Sequence, residues 1–358
     1  LEYASGNIDG KFKDDPATLG SVHSAIGASW SALDQREHSS EHFRKAWENY
    51  KQAFGEADEQ TLLILYDYAE EVISNEKYAD AERLLDEADR LSGPRLQESG
   101  KLALWSARRR SNFHVQQQQP DEAEPYLNRG IELLPKVLPD MPRLEGIFRI
   151  DLADVYRRQG KDAEAEALVR EGLADPRFTP ERIGTDVMNA LQSNLSMVLM
   201  KQGRYAEALT LAEAVAASAE KLSGIDARST IIEYERVAKI HTSAGNCEEA
   251  LEIRRRNWKV GVEKHGMADR SNLANGANLA ANEEKCGDKS VAPALLQQVL
   301  AEVRRSFGPD DPFNHTFGYF YARMLIDSGR YTAAQTMLRS ISIEKLNAAT
   351  GPAGWEHW

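Results

Sequence analysis

The sequence predicts an all-α fold: a right-handed α-solenoid of about eight helix-turn-helix hairpins. Three observations carry that expectation. Apolar residues recur at helical spacing, one pattern returns every 42 residues along most of the 358-residue chain, and two positions in every repeat hold only Gly, Ala or Ser. The stretch from Ile147 to Leu173 shows the unit plainly. Leu152, Ala153, Val155 and Tyr156 mark one amphipathic helix, Ala165, Leu168, Val169 and Gly172 mark a second, and Gly160 joins them. One such hairpin cannot bury its apolar face unaided, so the repeats must stack. A chain of this length also exceeds what a single compact core holds, and the fixed period selects an array over unrelated domains.

The small positions set the register. On the first helix of each pair, helix A, they are Gly27, Ala69, Ser111, Ala153, Ser196, Ala238, Ala280 and Ala322. Twelve residues later, on helix B, they are Ser39, Ala81, Ala123, Ala165, Ala208, Ala250, Ala292 and Ala334. Two antiparallel helices in a tight hairpin approach closely only where both side chains are small. The one extra residue in the series, between Ala165 and Ala208, falls in the Pro-containing loop ADPRFTPERIG, where added length is tolerated.

Taken in order, residues 1–19 form a lead-in, 20–342 the eight repeats, and 343–358 a C-terminal tail or partial capping helix. Within the lead-in, Pro16 suits the first turn of a helix capped by Asp15. Four residues beyond the small helix B position stand Phe43, Leu85, Leu127, Val169, Ala212, Arg254, Leu296 and Leu338, which fill the core in every repeat but the sixth. There Arg254 and Asn257 replace apolar or small residues, and the expectation is an arginine stem along the core edge with its head in water. Turns from helix A to helix B carry Gly160, Gly203, Gly245 and Gly329 as C-caps, whereas repeat three has Gln116 to Gln119 and no glycine. Helix B is expected to outrun helix A and to end in a polar loop such as FGEADEQ or FGPDDPF. The tail offers Trp355 and Trp358, which either cover the apolar end of repeat eight or belong to a further helix interrupted by the end of the chain.

These features resemble the tetratricopeptide-repeat family. The residues that carry the likeness are the small–Gly–aromatic–Ala order of Ala322, Gly329, Tyr331 and Ala334, followed by Leu338. The 42-residue period, the FGPDDP loop and the triplets Asn194-Leu195-Ser196 and Asn278-Leu279-Ala280 are similar to the kinesin-light-chain class of these repeats. The resemblance covers residues 20 to about 342 and implies an α-helical solenoid that binds protein or peptide segments. The N-terminal stretch IDGKFKDDPATLGSVHSAIG also resembles the start of such arrays in bacterial membrane-anchored regulators that carry a winged-helix or kinase module. That likeness implies an extracytoplasmic ligand-sensing region, with the module and one membrane helix upstream. The first residue is Leu1 rather than Met, which suggests a fragment or processed form.

Composition narrows the function. A formal net charge of -12 argues against nucleic-acid binding, which needs a basic stripe to neutralise phosphates. The runs Arg108 to Arg110 and Arg254 to Arg256 point in three directions on their helices and read as solvated surface. No run reaches the length of a membrane span. Cys247 and Cys286 lie in turns of adjacent hairpins whose axes stand roughly 8–10 Å apart, so two free thiols are expected and the redox compartment is left open. No HExxH, GxSxG or zinc spacing occurs, and Gly287-Asp288-Lys289-Ser290 lacks the upstream glycine of a phosphate loop. The sequence therefore predicts no catalytic residues, no metal site and no cofactor, and gives no oligomeric state or compartment.

The inner wall of the stack is lined by helix A. Counted from its small residue, the wall positions lie two before, one after and five after. Repeat two contributes Asp67, Glu70 and Ser74; repeat three Arg109, Asn112 and Gln116; repeat four Asp151, Asp154 and Arg158. From repeat five onward the wall holds Asn194, Met197 and Lys201, then Arg236, Lys239 and Ser243, then Asn278, Ala281 and Lys285, then Phe320, Arg323 and Asp327. This second half reverses the sign of an acidic chain, unless Glu235 and Glu284 pair with its cations and leave it neutral. Asparagine amides suit an extended peptide backbone and arginine forks suit carboxylates. The expected binding residues are Asn194, Lys201, Arg236, Lys239, Asn278 and Arg323, with Arg109 and Asn112 as a second place, and the expected partner is an acidic protein or peptide segment.

Overall fold

Each repeat folds as two helices joined by a short turn, because the small residues let the pair close and the turn chemistry ends helix A on time. The structure, a computed structural model, describes residues 8–33, 35–97 and 100–341. Among them the A helices are α1 (Pro16–Ala32), α3 (Glu59–Ser74), α5 (Lys101–Gln116), α7 (Pro142–Arg158), α9 (Thr185–Lys201), α11 (Arg228–Ala244), α13 (Arg270–Cys286) and α15 (Pro312–Asp327). The B helices are α2 (Arg36–Phe54), α4 (Tyr78–Ser92), α6 (Pro120–Val137), α8 (Asp162–Ala174), α10 (Tyr205–Ser223), α12 (Cys247–His265), α14 (Val291–Phe307) and α16 (Tyr331–Arg339). Single helical turns at Ile8–Lys11, Gly93–Leu96 and Pro180–Ile183 complete the described elements, and none is a strand. The tail with Trp355 and Trp358 lies outside the described residues.

All sixteen small positions are buried. In the first hairpin the contact is also polar: Ser39 donates its hydroxyl to the Gly27 carbonyl at 2.9 Å. A side chain on Gly27 would press against the Phe43 ring, which fills the space the glycine leaves. The turns repeat one device. Lys77, Gln119, Lys161, Arg204, Asn246 and Arg330 each donate a backbone N–H to the carbonyl five residues earlier, closing helix A with a left-handed residue immediately before the donor. That residue is Gly160 in repeat four, but Glu76 and Gln118 take φ of 60° and 58° in repeats two and three, so the turn forms even where glycine is missing.

The chain divides into two compact units, Leu1–Leu191 and Gln192–Trp358. In the first, Leu62, Leu65, Tyr66, Leu85 and Leu102 form one apolar cluster, and Leu104, Leu127, Leu134, Phe148 and Leu152 form the next. In the second, Leu273, Leu296, Val299, Val303 and Phe317 form another. Each cluster joins one hairpin to the first helix of the following one, which is how a stack without a central core is held. Polar links reinforce this spacing. Asp58, Asp269 and Asp311 cap α3, α13 and α15. Arg228 and Arg270, at the starts of α11 and α13, each reach the capping aspartate of the next A helix at 2.6 Å. Asp15 caps α1 at Thr18, as the sequence predicts.

Four expectations need correction. Cys247 and Cys286 form a disulfide, with Cα atoms 5.6 Å apart. The axis separation is the wrong measure: Cα atoms lie about 2.3 Å off each axis, so facing Cα atoms of adjacent helices come within bonding range. The arginine runs are solvated only in part: Arg255 is exposed, but the others are not. Arg109 and Arg110 keep 13% and 12% side-chain exposure and both are ion-paired. Arg254 does not reach water either; its guanidinium is buried against Glu235. Helix B is not uniformly the longer helix: α8 has 13 residues against 17 in α7, because Asp175 and Pro176 end it.

Candidate functional site

Equivalent wall positions of neighbouring repeats meet across successive A helices, so residues 42 apart in sequence become partners. In the first unit Arg109 of α5 bonds Asp67 of α3 at 2.6 Å, and Asn112 donates to Glu70 at 3.0 Å. Trp105 adds an indole N–H to the same Asp67 carboxylate at 3.3 Å. On α7, Asp154 is held by Arg157 and by Arg158 at 2.7 Å. Burial pushes its carboxyl up, but the two guanidinium groups win and leave it below the usual carboxylate range. Behind the wall, Asp89 of α4 accepts from Tyr66, Ser106 and Arg110 at 2.6, 2.7 and 2.8 Å. Burial and that carboxylate together push the Tyr66 hydroxyl well up.

Not every group on this wall is satisfied. Glu70 Oε2 is buried and accepts no hydrogen bond, with Arg109 Nη1 3.5 Å away, and Arg109 Nε is buried without an acceptor. Arg108 and Asp151, half-buried on α5 and α7, make neither an ion pair nor a side-chain hydrogen bond among the described residues. Burial pushes the Asp151 carboxyl up to about 6, with Arg108 the charge that pulls it back down.

The wall of the second unit is built differently. Glu235 turns away from it, accepting from Arg254 at 3.2 Å and from Asn257 at 3.0 Å, while Asn257 also donates to the Ile231 carbonyl at 3.2 Å. Burial raises the Glu235 carboxyl even beside Arg254. Thus one of the two acids that stood to neutralise the wall serves the α11–α12 hairpin instead. Arg236 lies 3.3 Å from Glu233, which also accepts from Ser193, and its buried Nε makes no hydrogen bond. Lys239, one turn further along α11, is half-buried, as are Asn194 on α9 and Asn278 on α13. Lys201 and Arg323 are exposed, the latter over the Phe320 ring at 5.9 Å. Lys285 reaches the Thr242 carbonyl at 3.4 Å, and Asn282 beside it accepts from the Thr242 hydroxyl while its own buried amide donor has no partner.

Arg236 and Lys239 therefore share a helix. Asn278 is tied to the same region because its carbonyl accepts from Arg254 at 3.4 Å. Arg109 and Asn112 sit in the other unit and are already bonded to the helix before them. Sequence reasoning missed the Glu235–Arg254–Asn257 cluster as a unit, although Arg254 at an apolar position was its signal. Arg108, whose register falls one residue off the wall positions, entered the sequence reading only in the Arg108 to Arg110 run and at the edge of the repeat-three wall. Among the described residues no group of three or more His, Cys, Asp or Glu side chains is arranged to hold a metal ion, and no helix is long and apolar enough to cross a membrane.

Family models described as tetratricopeptide repeat match residues 109–180 and 187–256. A comparison with curated proteins by sequence returns no match. Among solved structures, the apo form of the quorum sensor NprR from B. thuringiensis is similar over 97% of this chain and 93% of its own, with 15% identity and a TM-score of 0.68. The apo form of RapI is similar over 80% of this chain and 98% of its own, at 12% identity and a TM-score of 0.58. A signal-transduction ATPase with a tetratricopeptide repeat sensor from Pyrococcus horikoshii covers 94% of this chain with 51% of its own, at 14% identity and a TM-score of 0.60. At these identities the likeness is one of fold. With its 42-residue hairpins, its buried small positions and two matching family models, the chain belongs to the tetratricopeptide-repeat family.

Proposed function

We propose that this protein is a non-enzymatic peptide-binding scaffold whose principal site is the A-helix wall of repeats five to eight, and that the site takes a carboxylate-bearing segment. The observation that carries the reading is the diversion of Glu235. Because Arg254 and Asn257 hold that acid on the α12 side, Arg236 keeps a buried Nε that forms no hydrogen bond and has the Glu233 carboxylate 3.3 Å away as its ion-pair partner. A buried donor left unmet is costly, and an incoming acceptor recovers that cost. Lys239 lies three residues along the same helix, so the two cations can grip one anionic group. Asn278 and Arg323 on α13 and α15 extend the line for the rest of a segment.

The test is a calorimetric titration of the full chain with an acidic decapeptide and a neutral peptide of the same length. Arg236→Ala with Lys239→Ala should weaken the acidic peptide by about one to two decades, since charge-assisted contacts contribute roughly 1.5–3 kcal/mol each. Added salt should weaken it too. Unchanged affinity and salt dependence in the double variant would remove this wall as the acidic site.

A second reading, the extracytoplasmic ligand-sensing region of a bacterial transcriptional regulator or kinase, is favoured by one observation. The Cys247–Cys286 bond belongs in an oxidising environment, because cytosolic thiols are ordinarily kept reduced. Acid-quenched alkylation of cells making the protein decides it: two alkylated cysteines would argue against that compartment.

A further inference from the structure

Away from the A-helix wall, the first unit holds a trough between two B helices. α3 packs against both α2 and α4, and a gap remains between those two. At equivalent places in other repeats a polar side chain reaches across to the preceding B helix. Arg110, one residue before the small Ser111, bonds Asp86 of α4 at 2.6 Å, and Glu283, three residues after the small Ala280, bonds Arg255 of α12 at 2.7 Å. Repeat two has Tyr68 and Val72 at these positions. Val72 has no group to form such a link, and the Tyr68 hydroxyl makes no hydrogen bond among the described residues. The Tyr68 ring is instead stacked on Trp47 of α2, with centroids 6.2 Å apart.

The trough consists of two adjoining cavities of about 210 and 450 Å³, the larger within the size range of small-molecule sites. Ser40, Tyr68 and Lys77 line both cavities and so mark the centre. Glu37 and Glu41 belong to the smaller cavity alone, whereas Val72 and Leu84 belong to the larger alone. The lining charges differ in what already holds them. Arg44 and Arg83 are paired within their own helices, to Glu48 and Asp80, and Glu41 is paired with Lys45. Lys77, Glu37 and the Ser40 hydroxyl have neither an ion pair nor a side-chain hydrogen bond among the described residues.

The chemistry changes in a fixed order along the trough. Its centre offers an ammonium and two hydroxyls, all donors to an anionic oxygen. Burial pushes the Tyr68 hydroxyl up, so it stays protonated and able to donate. One side offers a carboxylate, the partner of an ammonium, and the other offers hydrocarbon. A simple carboxylate would leave Glu37 unanswered, and a simple amine would face Lys77 with like charge. A carbon that bears a carboxylate, an ammonium and an apolar substituent answers all three. We infer that the trough between α2 and α4 is a binding site for a free α-amino acid with an apolar side chain, its carboxylate held by Ser40, Tyr68 and Lys77, its ammonium toward Glu37 and its side chain over Val72 and Leu84. Asp80 and Glu87, which line the larger cavity, exclude an acidic side chain there.

The experiment titrates the full chain by calorimetry with L-leucine and with two analogues that each lack one charge, L-leucinamide and isocaproate. L-leucine should bind with a Kd of about 1 mM or tighter. Each analogue should bind about tenfold more weakly, having lost one charged hydrogen-bonding partner. Tyr68→Phe and Lys77→Met should each weaken L-leucine by about tenfold as well, while Lys77→Met should leave the residual affinity for L-leucinamide unchanged. Ser40→Trp should abolish binding by filling the centre of the trough, and L-glutamate should not compete. Arg236→Ala with Lys239→Ala should leave L-leucine unaffected, which separates this site from the A-helix wall. Thermal melts establish that each variant folds, and Tyr68→Phe, which removes a single oxygen, keeps the test open if Ser40→Trp does not. No binding of L-leucine in the millimolar range, equal affinity for L-leucinamide, or indifference to Tyr68→Phe and Lys77→Met would overturn the assignment.

Discussion

Cys247, the first residue of α12, is bonded to Cys286, the last residue of α13, across a Cα separation of 5.6 Å. The bond ties hairpin six to hairpin seven and closes a loop of 39 residues in sequence. Constraining the unfolded chain over such a loop contributes about 3–4 kcal/mol on the chain-entropy model. Cys247→Ser with Cys286→Ser should therefore lower the unfolding free energy of the second unit by that amount, read as a lower urea midpoint at unchanged slope. Dithiothreitol should reproduce the effect in wild type and do nothing further to the double variant.

Overpacking a hairpin should damage it locally. Ala250 is fully buried against α11, so Ala250→Leu should cost roughly 1–3 kcal/mol. Because each repeat touches chiefly its neighbours, hydrogen exchange should accelerate in α11 to α13 while α3 to α6 stay protected. Uniform loss of protection would indicate one global core instead.

The Arg254–Glu235 pair should be worth more broken than absent. Their side chains keep 8% and 13% exposure, so Arg254→Leu strands a buried carboxylate and should cost about 3–5 kcal/mol. Adding Glu235→Leu removes the stranded charge and should recover much of that loss. A double-mutant cycle in urea measures the difference, and strictly additive effects would show that the pair is not coupled.

Asp151 should make stability depend on pH. Its folded carboxyl is raised from 3.8 to about 6, so the charged form is penalised in the fold. The penalty is complete above about pH 6 and vanishes below the unfolded value near 3.9. Asp151→Asn should therefore stabilise the protein at pH 7–8 by up to about 3 kcal/mol, and the advantage should shrink toward zero as the pH falls to about 4. An advantage independent of pH would mean that the carboxyl titrates normally.

How much was legible in the sequence follows from distance along the chain. The hairpin pairs Gly27 with Ser39 and Ala153 with Ala165 lie twelve residues apart, and a helix turn fixes their geometry almost locally. Helix caps at Asp15 and the turn at Gly160 were readable for the same reason. Relations between repeats were harder. Register correctly put Asp67 beside Arg109 on one wall, but whether a charge faces a partner or a vacancy depends on rotamer and tilt, which the period does not encode. Arg254 looked like a snorkelling side chain because nothing in its own helix announces Glu235 nineteen residues before it.

The sequence by itself determined the repeat, its period, the eight close contacts between sixteen small residues and the helical face that forms the wall, because all of these rest on short-range sterics repeated eight times. Only the tertiary structure decided which charges cancel. It closed Arg109 onto Asp67, turned Glu235 onto Arg254, left Arg108 and Asp151 without a hydrogen bond or close ion pair among the described residues, and brought two cysteines within bonding range. The physical reason is that an ion pair or a disulfide depends on separations of a few ångströms between helices, whereas the apolar pattern needs only the correct face.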